Sequence, residues 1–306
     1  MGAGHGHGHA QGRAVDRARL RLVLAVTGVI LVVELIGAWV TGSLALFADA
    51  GHLATDAAAV VLALGASYVA AIPAGARSTF GFHRAEILAA LLNALVLLGV
   101  CGYLAYAGLT RLREPTDVDA GLMVAFAAVG LAANAASLAI LRQSDTGSLN
   151  LRAAATEVFA DLVGSVFVVV AGVVILATGY LRADPIASLV IATMILPRAL
   201  LLLRDAAAIL LELAPTGLDL ADVRGHLLGA PGVVDVHDLH AWTITSGMPS
   251  LSAHVTVTGE SLAAQGVGGI LDELSACVAE HFGVQHATFQ VEPESHRAHE
   301  DLGDPH

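Results

Sequence analysis

The sequence predicts a polytopic α-helical membrane protein, in which six transmembrane helices are followed by a small α+β cytoplasmic domain of the ferredoxin-like type. Two observations predict this fold class. Hydrophobic residues make up 56% of the 306 residues and charged residues only 14%, whereas about 25% of the residues in a soluble domain are charged. The charged residues are concentrated at the N-terminus, in short loops and in the last third of the chain, so a membrane domain should precede a soluble domain.

Six apolar segments are each long enough to cross a bilayer, which takes about 20 residues. Their predicted ranges are 20–40, 44–71, 85–110, 120–141, 153–178 and 185–203. The first segment is not a cleavable signal, because its apolar run continues without a small-residue cleavage site.

Arginines outside the spans predict the orientation in the membrane. With the N-terminus inside, the inner segments hold Arg13, Arg17, Arg19, Arg21, Arg77, Arg84, Arg142, Arg152 and Arg204, and the outer loops hold Arg111, Arg113 and Arg182. Since basic residues accumulate in cytoplasmic loops, both termini are expected in the cytoplasm and the protein in the cell (inner) membrane.

The segment after Pro215 has the pattern of a small mixed domain. Helices are predicted at 219–228 and 262–281, and strands at 233–245, 251–257 and 287–291. This αββαβ order is typical of helices packed on one face of a sheet. The predicted organisation is a His-containing tail (1–18), a membrane domain (19–213), a cytoplasmic metal-binding and dimerisation domain (214–293) and a disordered tail (294–306).

Charge and cysteine content exclude several kinds of partner. The net charge of −12 comes mostly from the C-terminal third, so nucleic acid is not an expected partner. Cys101 and Cys277 are far apart in apolar surroundings and predict neither a disulfide framework nor a cysteine-based metal site. His5, His7 and His9 form a short tract that either binds metal weakly or is a solvated tail.

Four ionisable residues interrupt the second and fifth spans. His52 and Asp56 are four residues apart and share one helix face, and Glu157 and Asp161 repeat this spacing. An ionisable side chain in a span costs about 2.5–3.5 kcal/mol on insertion scales, and we expect no basic side chain to neutralise them there. One imidazole and three carboxylates could together bind a zinc ion. Alternatively, these groups pair within the bundle or line a water cavity.

Four further polar residues of the spans are harder to interpret. Glu34 and Asp49 are either proton or entry-path residues or hydrogen-bonded packing groups. Asn93 and Asn134 are expected to bridge helices rather than to bind metal.

Several motifs together resemble the cation diffusion facilitator family, in order along nearly the whole chain. They are SLALFADAGHLATD at 43–56, FGFHRAEI at 80–87, NLRAA at 150–154, DLVGS at 161–165, DP at 184–185 and HDLHAW at 237–242. The branch most similar to this sequence exports zinc, or cobalt, zinc and cadmium. The resemblance implies that His52, Asp56 and Asp161 are transport-site ligands and that the protein is a homodimer.

Glu157 departs from the family pattern, in which this branch usually has His. An additional carboxylate makes the ligand set harder and favours oxygen-seeking ions, so Mn²⁺, Fe²⁺ and Co²⁺ are alternatives to Zn²⁺. A broader selectivity that also includes Cd²⁺ is a further alternative. Three carboxylates without metal would repel one another, and a proton could then bind the empty site. The expected mechanism is therefore antiport, in which a proton and a metal ion compete for the same carboxylates.

A second histidine group lies in the cytoplasmic domain. His237 and His240 are three residues apart on one strand and are expected to face opposite sides of the sheet. The resemblance implies metal binding by His237 and His254, with Glu292 nearby. The alternative is that these histidines are surface or packing residues.

Taken together, the patterns predict a secondary transporter that exports a divalent transition metal ion, zinc first, from the cytoplasm in exchange for protons. A membrane-bound metal sensor is the alternative, but sensing needs no ligands at membrane depth. An enzyme is not expected, because we find no His-Glu-x-x-His motif of an intramembrane metalloprotease.

Overall fold

The structure, a computed structural model, describes residues 6–143 and 149–297, with side chains described from residue 19 to 143 and from 151 to 296. The chain divides into two compact units. The described parts of the first lie within 6–62 and 92–202, and those of the second within 63–91 and 203–297.

Six helices of the described chain are long and apolar enough to cross a membrane, with mean hydropathies of 1.7 to 2.6. They are α1 (Gly6–Thr41), α2 (Leu44–Ala70), α3 (Ala85–Arg113), α4 (Ala120–Arg142), α5 (Leu149–Thr178) and α6 (Ala183–Leu210). Many of their large apolar side chains are exposed, for example Leu24 and Val61, as expected of surfaces that face lipid rather than water. The prediction of a six-helix membrane protein is confirmed.

Glycines allow the membrane helices of the first unit to approach closely. A Cβ added at Gly37 would lie 2.7 Å from the Phe126 ring, and one at Gly172 would lie 2.6 Å from a Val124 methyl group. Small residues at such contacts are typical of membrane helices, because helices within a bilayer associate through close packing rather than through the hydrophobic effect.

A carboxylate that is distant in sequence caps the start of α2. Asp184, at the start of α6, accepts hydrogen bonds from the Ser43 hydroxyl at 2.5 Å and from the backbone N–H groups of Leu44 and Ala45 at 2.9 and 3.0 Å. The first N–H groups of a helix have no partner within the helix, and a negative charge is favourable there. The fully buried Asp184 therefore fixes the start of α2 against α6.

The second unit contains the mixed domain. Its elements are α7 (Leu220–Leu228), β1 (Val233–Thr245), β2 (Met248–Val257), α8 (Gly259–Phe282), β3 (His286–Pro293) and the single turn α9 (Glu294–Arg297). The sheet order is β1-β2-β3, with β1 and β2 antiparallel and β2 and β3 parallel. Buried apolar residues of α7 and α8 pack with alternate residues of the strands, so the predicted αββαβ domain is confirmed.

The two predicted tails are described only in part. The backbone of α1 is helical from Gly6, but His5 and the side chains of His7 and His9 lie outside the described residues. Helix α9 occupies the beginning of the segment predicted to be disordered, and residues 298–306 lie outside the description.

Candidate metal centres

Three of the four predicted intramembrane ligands lie close together, with two carboxylates near one imidazole. His52 and Asp56 lie one turn apart on α2, and Asp161 lies on α5. The Nε2 atom of His52 is 3.7 Å from Asp56 Oδ2 and 3.7 Å from Asp161 Oδ1. Two ligand atoms that are each about 2.0 Å from a tetrahedral zinc ion lie about 3.3 Å apart. Small side-chain rotations would therefore bring these three donors to coordinating distance.

The burial of these donors favours a role beyond packing. The side chains of His52 and Asp161 are only 10% and 7% exposed, yet His52 Nδ1 and Asp161 Oδ1 have no hydrogen-bond partner. Buried polar atoms are normally hydrogen-bonded, because desolvation without a partner is costly. A cavity of about 90 Å³ adjoins His52, and Asp49, Gly164 and Arg198 are among its other lining residues.

Glu157, the fourth predicted ligand, is paired with a basic side chain. Its Oε1 accepts a hydrogen bond of 2.6 Å from Arg198 of α6, and a second guanidinium nitrogen of Arg198 lies 3.5 Å from Asp56 Oδ2. The expectation that no basic side chain would neutralise the intramembrane carboxylates is therefore wrong. The sequence does show a basic residue at membrane depth, because Arg198 lies inside the sixth apolar segment. Its contact with carboxylates on α2 and α5 depends on helix packing.

The remaining intramembrane polar residues lie beside this group. Asp49 Oδ2 accepts a hydrogen bond of 3.0 Å from the Ser165 hydroxyl, and Asn134 Nδ2 donates to the same hydroxyl at 3.4 Å. Asn134 thus joins α4 to α5, as the prediction of a helix-bridging amide requires. Glu34 on α1 is fully buried, and neither of its carboxylate oxygens has a hydrogen-bond partner.

The cytoplasmic donors form a tighter cluster. His254 Nδ1 lies 3.1 Å from Glu292 Oε1, and His237 Nε2 lies 3.8 Å from Glu292 Oε2. One ligand atom from each of these three residues lies within 4.8 Å of the others, and this is the only such group of three found in the described part of the chain. Two imidazoles and a carboxylate are ligands that zinc accepts in protein sites.

A β-bulge changes the predicted direction of His240. His237 pairs with His254 and His240 pairs with Ser252, with a register shift between them, and Asp238 has a φ of 48°. Because positions 252 and 254 face the same side of β2, His237 and His240 also share a face. The expectation that they face opposite sides is wrong, since a bulge inserts one residue into the strand.

The bulge also brings a further carboxylate to the cluster. Asp238 Oδ1 lies 2.9 Å from His240 Nε2, and its Oδ2 lies 3.6 Å from His254 Nε2. No sequence pattern points to Asp238, because the position of its carboxylate follows from the positive φ of this single residue. His254 can therefore meet a carboxylate at each ring nitrogen, one from Glu292 and one from Asp238.

Comparison with protein families gives two matches that together span most of the chain. A model of the cation efflux transmembrane domain matches residues 20–211, and a model of the cation efflux protein cytoplasmic domain matches residues 215–294.

Curated relatives match along nearly their whole length. The chain is 40% identical to the metal cation efflux system protein CzcD of Cupriavidus metallidurans, over 95% of this chain and 90% of the relative. It is 37% identical to the zinc transporter ZitB of Escherichia coli, over 90% and 87%. It is 35% identical to a cadmium, cobalt and zinc/H⁺-K⁺ antiporter of Bacillus subtilis, over 87% and 86%.

A solved structure matches the cytoplasmic part. The metal-bound C-terminal domain of the CzcD transporter from Cupriavidus metallidurans is 40% identical, covers 24% of this chain and 99% of that chain, and has a TM-score of 0.22.

Proposed function

Because this chain belongs to the cation efflux family, we propose that it exports Zn²⁺ from the cytoplasm in exchange for protons. The resemblance to the cation diffusion facilitators is thereby confirmed. It is an integral membrane protein and a transporter rather than an enzyme. The relatives named for zinc transport and for cadmium, cobalt and zinc/H⁺-K⁺ antiport support the choice of ion and of antiport.

One observation carries the proposal, namely that His52 Nε2 lies 3.7 Å from carboxylates on two different helices. A site shared between α2 and α5 can be exposed alternately to the two membrane faces when these helices rock relative to their neighbours. A sensor would need no ligands at this depth, since the cytoplasmic cluster alone could report on metal concentration.

In this proposal Glu157 completes the transport site by exchanging Arg198 for the metal ion. The guanidinium neutralises part of the charge of Asp56 and Glu157 while no metal is bound, and an arriving divalent cation competes for the same oxygens. Protons compete for these oxygens as well, because metal ligands must be deprotonated. A single set of carboxylates can therefore carry the metal ion in one direction and protons in the other.

The orientation and assembly of the protein are part of the same proposal. Both termini lie in the cytoplasm, as the distribution of loop arginines supports, and the protein resides in the inner membrane. The membrane domain spans 19–213 and the cytoplasmic domain 214–293, between the tails 1–18 and 294–306. The second domain joins two chains into a homodimer, and the face of its sheet that carries His237 and His254 lies opposite the face covered by α7 and α8.

The cytoplasmic cluster binds a second zinc ion through His237, His254 and Glu292. We expect the substitution His254→Ala to lower the zinc bound by the full chain by about one ion, because three protein ligands are the usual minimum for a zinc site. Equilibrium dialysis followed by elemental analysis measures this number. The matched control is His226→Ala, which removes an exposed histidine of α7 that contacts His281 outside the cluster. A zinc content that does not change in His254→Ala would contradict the assignment.

Ion selectivity tests the proposed transport function and the role of Glu157 together. Proteoliposomes with an imposed pH gradient are assayed for transport of Zn²⁺, Cd²⁺, Co²⁺, Mn²⁺ and Fe²⁺, with the wild type beside Glu157→His. We expect metal transport that depends on the pH gradient. We also expect the substitution to raise the ratio of zinc to manganese transport about tenfold, because an imidazole replaces a hard oxygen ligand.

Each part of this experiment can fail separately. Metal transport without any response to the pH gradient would contradict antiport. Equal selectivity of the wild type and Glu157→His would show that Glu157 does not contribute a selective ligand. The absence of transport for every ion in the panel would contradict the transport function itself and favour a sensor.

A further inference from the structure

Beyond the metal site, the first unit contains a buried carboxylate that is not a ligand of the proposed transport site. Glu34 of α1 has no exposed surface, and neither of its oxygens has a hydrogen-bond partner. Among the described residues no basic side chain forms an ion pair with it. An ionised carboxylate with no compensation is far more costly to bury than a neutral carboxyl group, so a proton is the ligand that this side chain is suited to hold.

The neighbouring helix leaves space for this carboxyl group. Glu34 lies against Gly130 of α4, where an added Cβ would overlap Glu34 Oε1. The same arrangement occurs at Asp49, because a Cβ added at Gly164 of α5 would lie 2.7 Å from Asp49 Oδ1. Glu34 and Asp49 are thus each placed opposite a glycine of a neighbouring helix, and the missing side chain leaves room for the carboxyl group.

Polar side chains connect the surroundings of Glu34 with the metal site. Asn134 lies one turn beyond Gly130 on α4, and it donates to Ser165, which donates to Asp49. All three side chains are buried, and the carbonyl oxygen of Asn134 has no partner. Asp49 in turn lines the small cavity that also contains His52 and Arg198. These buried polar groups link the part of α4 beside Gly130, which Glu34 contacts, to the surroundings of the metal site.

The two carboxylates have different surroundings and therefore different roles. Asp49 accepts a hydrogen bond from the Ser165 hydroxyl, whereas neither oxygen of Glu34 accepts one. The acidic groups on other helices whose negative charge acts on Glu34 are Asp49 of α2 and Asp161 of α5. A divalent cation bound by Asp161 would offset their negative charge, and the cost of ionising Glu34 would then fall.

We propose that Glu34 is a proton-binding site distinct from the metal ligands, and that metal binding at His52 and Asp161 expels its proton by electrostatic coupling. The O–H bond of the Glu34 carboxyl breaks, the proton is released to the solvent, and Glu34 remains as a carboxylate until the metal leaves. This inference rests on the proposed antiport function. It adds one exchanged proton to those that compete directly with the metal.

The test is the number of protons released when zinc binds to the purified full-length chain. Zinc is added to a weakly buffered detergent solution that contains a pH indicator, and the affinity for zinc is measured at several pH values. We expect Glu34→Gln to bind zinc but to release about one proton fewer per ion, and the slope of log affinity against pH to fall by about one. Glu34→Asp, which keeps the carboxyl group, should retain most of the release.

The control and the possible outcomes separate this inference from the proposed function. Asn93→Ala removes a buried polar group of α3 outside this network and should release as many protons as the wild type. Release from Glu34→Gln equal to that of the wild type would overturn the role of Glu34 and leave antiport intact. A wild type that releases no protons at all would instead overturn antiport.

An infrared measurement covers the case in which Glu34→Gln does not fold. Zinc binding to the wild type should remove a carbonyl stretch of a protonated carboxyl group, and Glu34→Asp should shift the frequency of that band. A wild-type difference spectrum without any loss of a protonated carboxyl band would also overturn the proposal.

Discussion

Replacing Asp161 by Asn should reduce zinc transport in proteoliposomes by at least about 100-fold. Asp161 supplies the α5 carboxylate nearest to His52, at 3.7 Å, and is only 7% exposed. Mutation of a group that merely orients a metal ligand already costs about 10- to 100-fold in metal affinity or activity, so the loss of a ligand should cost at least as much. Asn has nearly the same shape as Asp but lacks the charge that binds the cation.

Thermal unfolding distinguishes the loss of a ligand from the loss of the fold. Without metal, Asp161→Asn should unfold at the same temperature as the wild type or higher, because a buried amide costs less than a buried carboxylate without a partner. The matched control is Asp205→Asn, which removes an exposed carboxylate on α6 that pairs with the adjacent Arg204 and should leave transport unchanged. Transport by Asp161→Asn at more than a tenth of the wild-type rate would contradict a ligand role.

Replacing Arg198 by Gln should raise the affinity for zinc by at least about tenfold and lower the maximal rate of transport. At an effective dielectric constant of about 20, two unit charges 4 Å apart interact by about 4 kcal/mol, and a tenfold change in affinity needs only about 1.4 kcal/mol. Without the guanidinium, Asp56 and Glu157 are free for the metal, and the ion no longer meets a neighbouring positive charge. Tighter binding then slows release at the other membrane face.

Zinc titrations and transport kinetics on the same preparation measure both effects. Arg204→Gln is the matched control, because Arg204 lies on the same helix and contacts only Asp205 among the ion pairs of the described residues. The double substitution Arg198→Gln with Glu157→Gln should bring the affinity back towards the wild-type value, since one charge of each sign is then removed. If Arg198→Gln bound zinc with wild-type or lower affinity, Arg198 would not be the competitor of the metal.

The parts of the fold that follow from local sequence were predictable. Each membrane helix is an apolar run of sufficient length, and the strands of the cytoplasmic domain are bounded by turn residues such as Gly247, whose φ is +77°. The spacing of His52 and Asp56 places both on one helix face whatever the rest of the fold. These features depend on residues that are near one another in the chain.

The features that were missed depend on residues distant in sequence or on one backbone angle. The pairing of Arg198 with Glu157 joins α6 to α5, and Asp184 caps α2 across about 140 residues. Neither contact has a periodic pattern that a sequence could reveal. The bulge at Asp238, which turns His240 to the face of His237, follows from a single positive φ.

The central claim is that a metal ion crosses the membrane through a site with one imidazole and carboxylate oxygens between α2 and α5. X-ray absorption at the zinc edge tests it in a full-length variant with His237→Ala and His254→Ala, in which the cytoplasmic cluster cannot bind. The account predicts bound zinc with a single imidazole nitrogen and otherwise oxygen ligands. A zinc ion coordinated by two or more imidazoles, or no bound zinc at all, would contradict it.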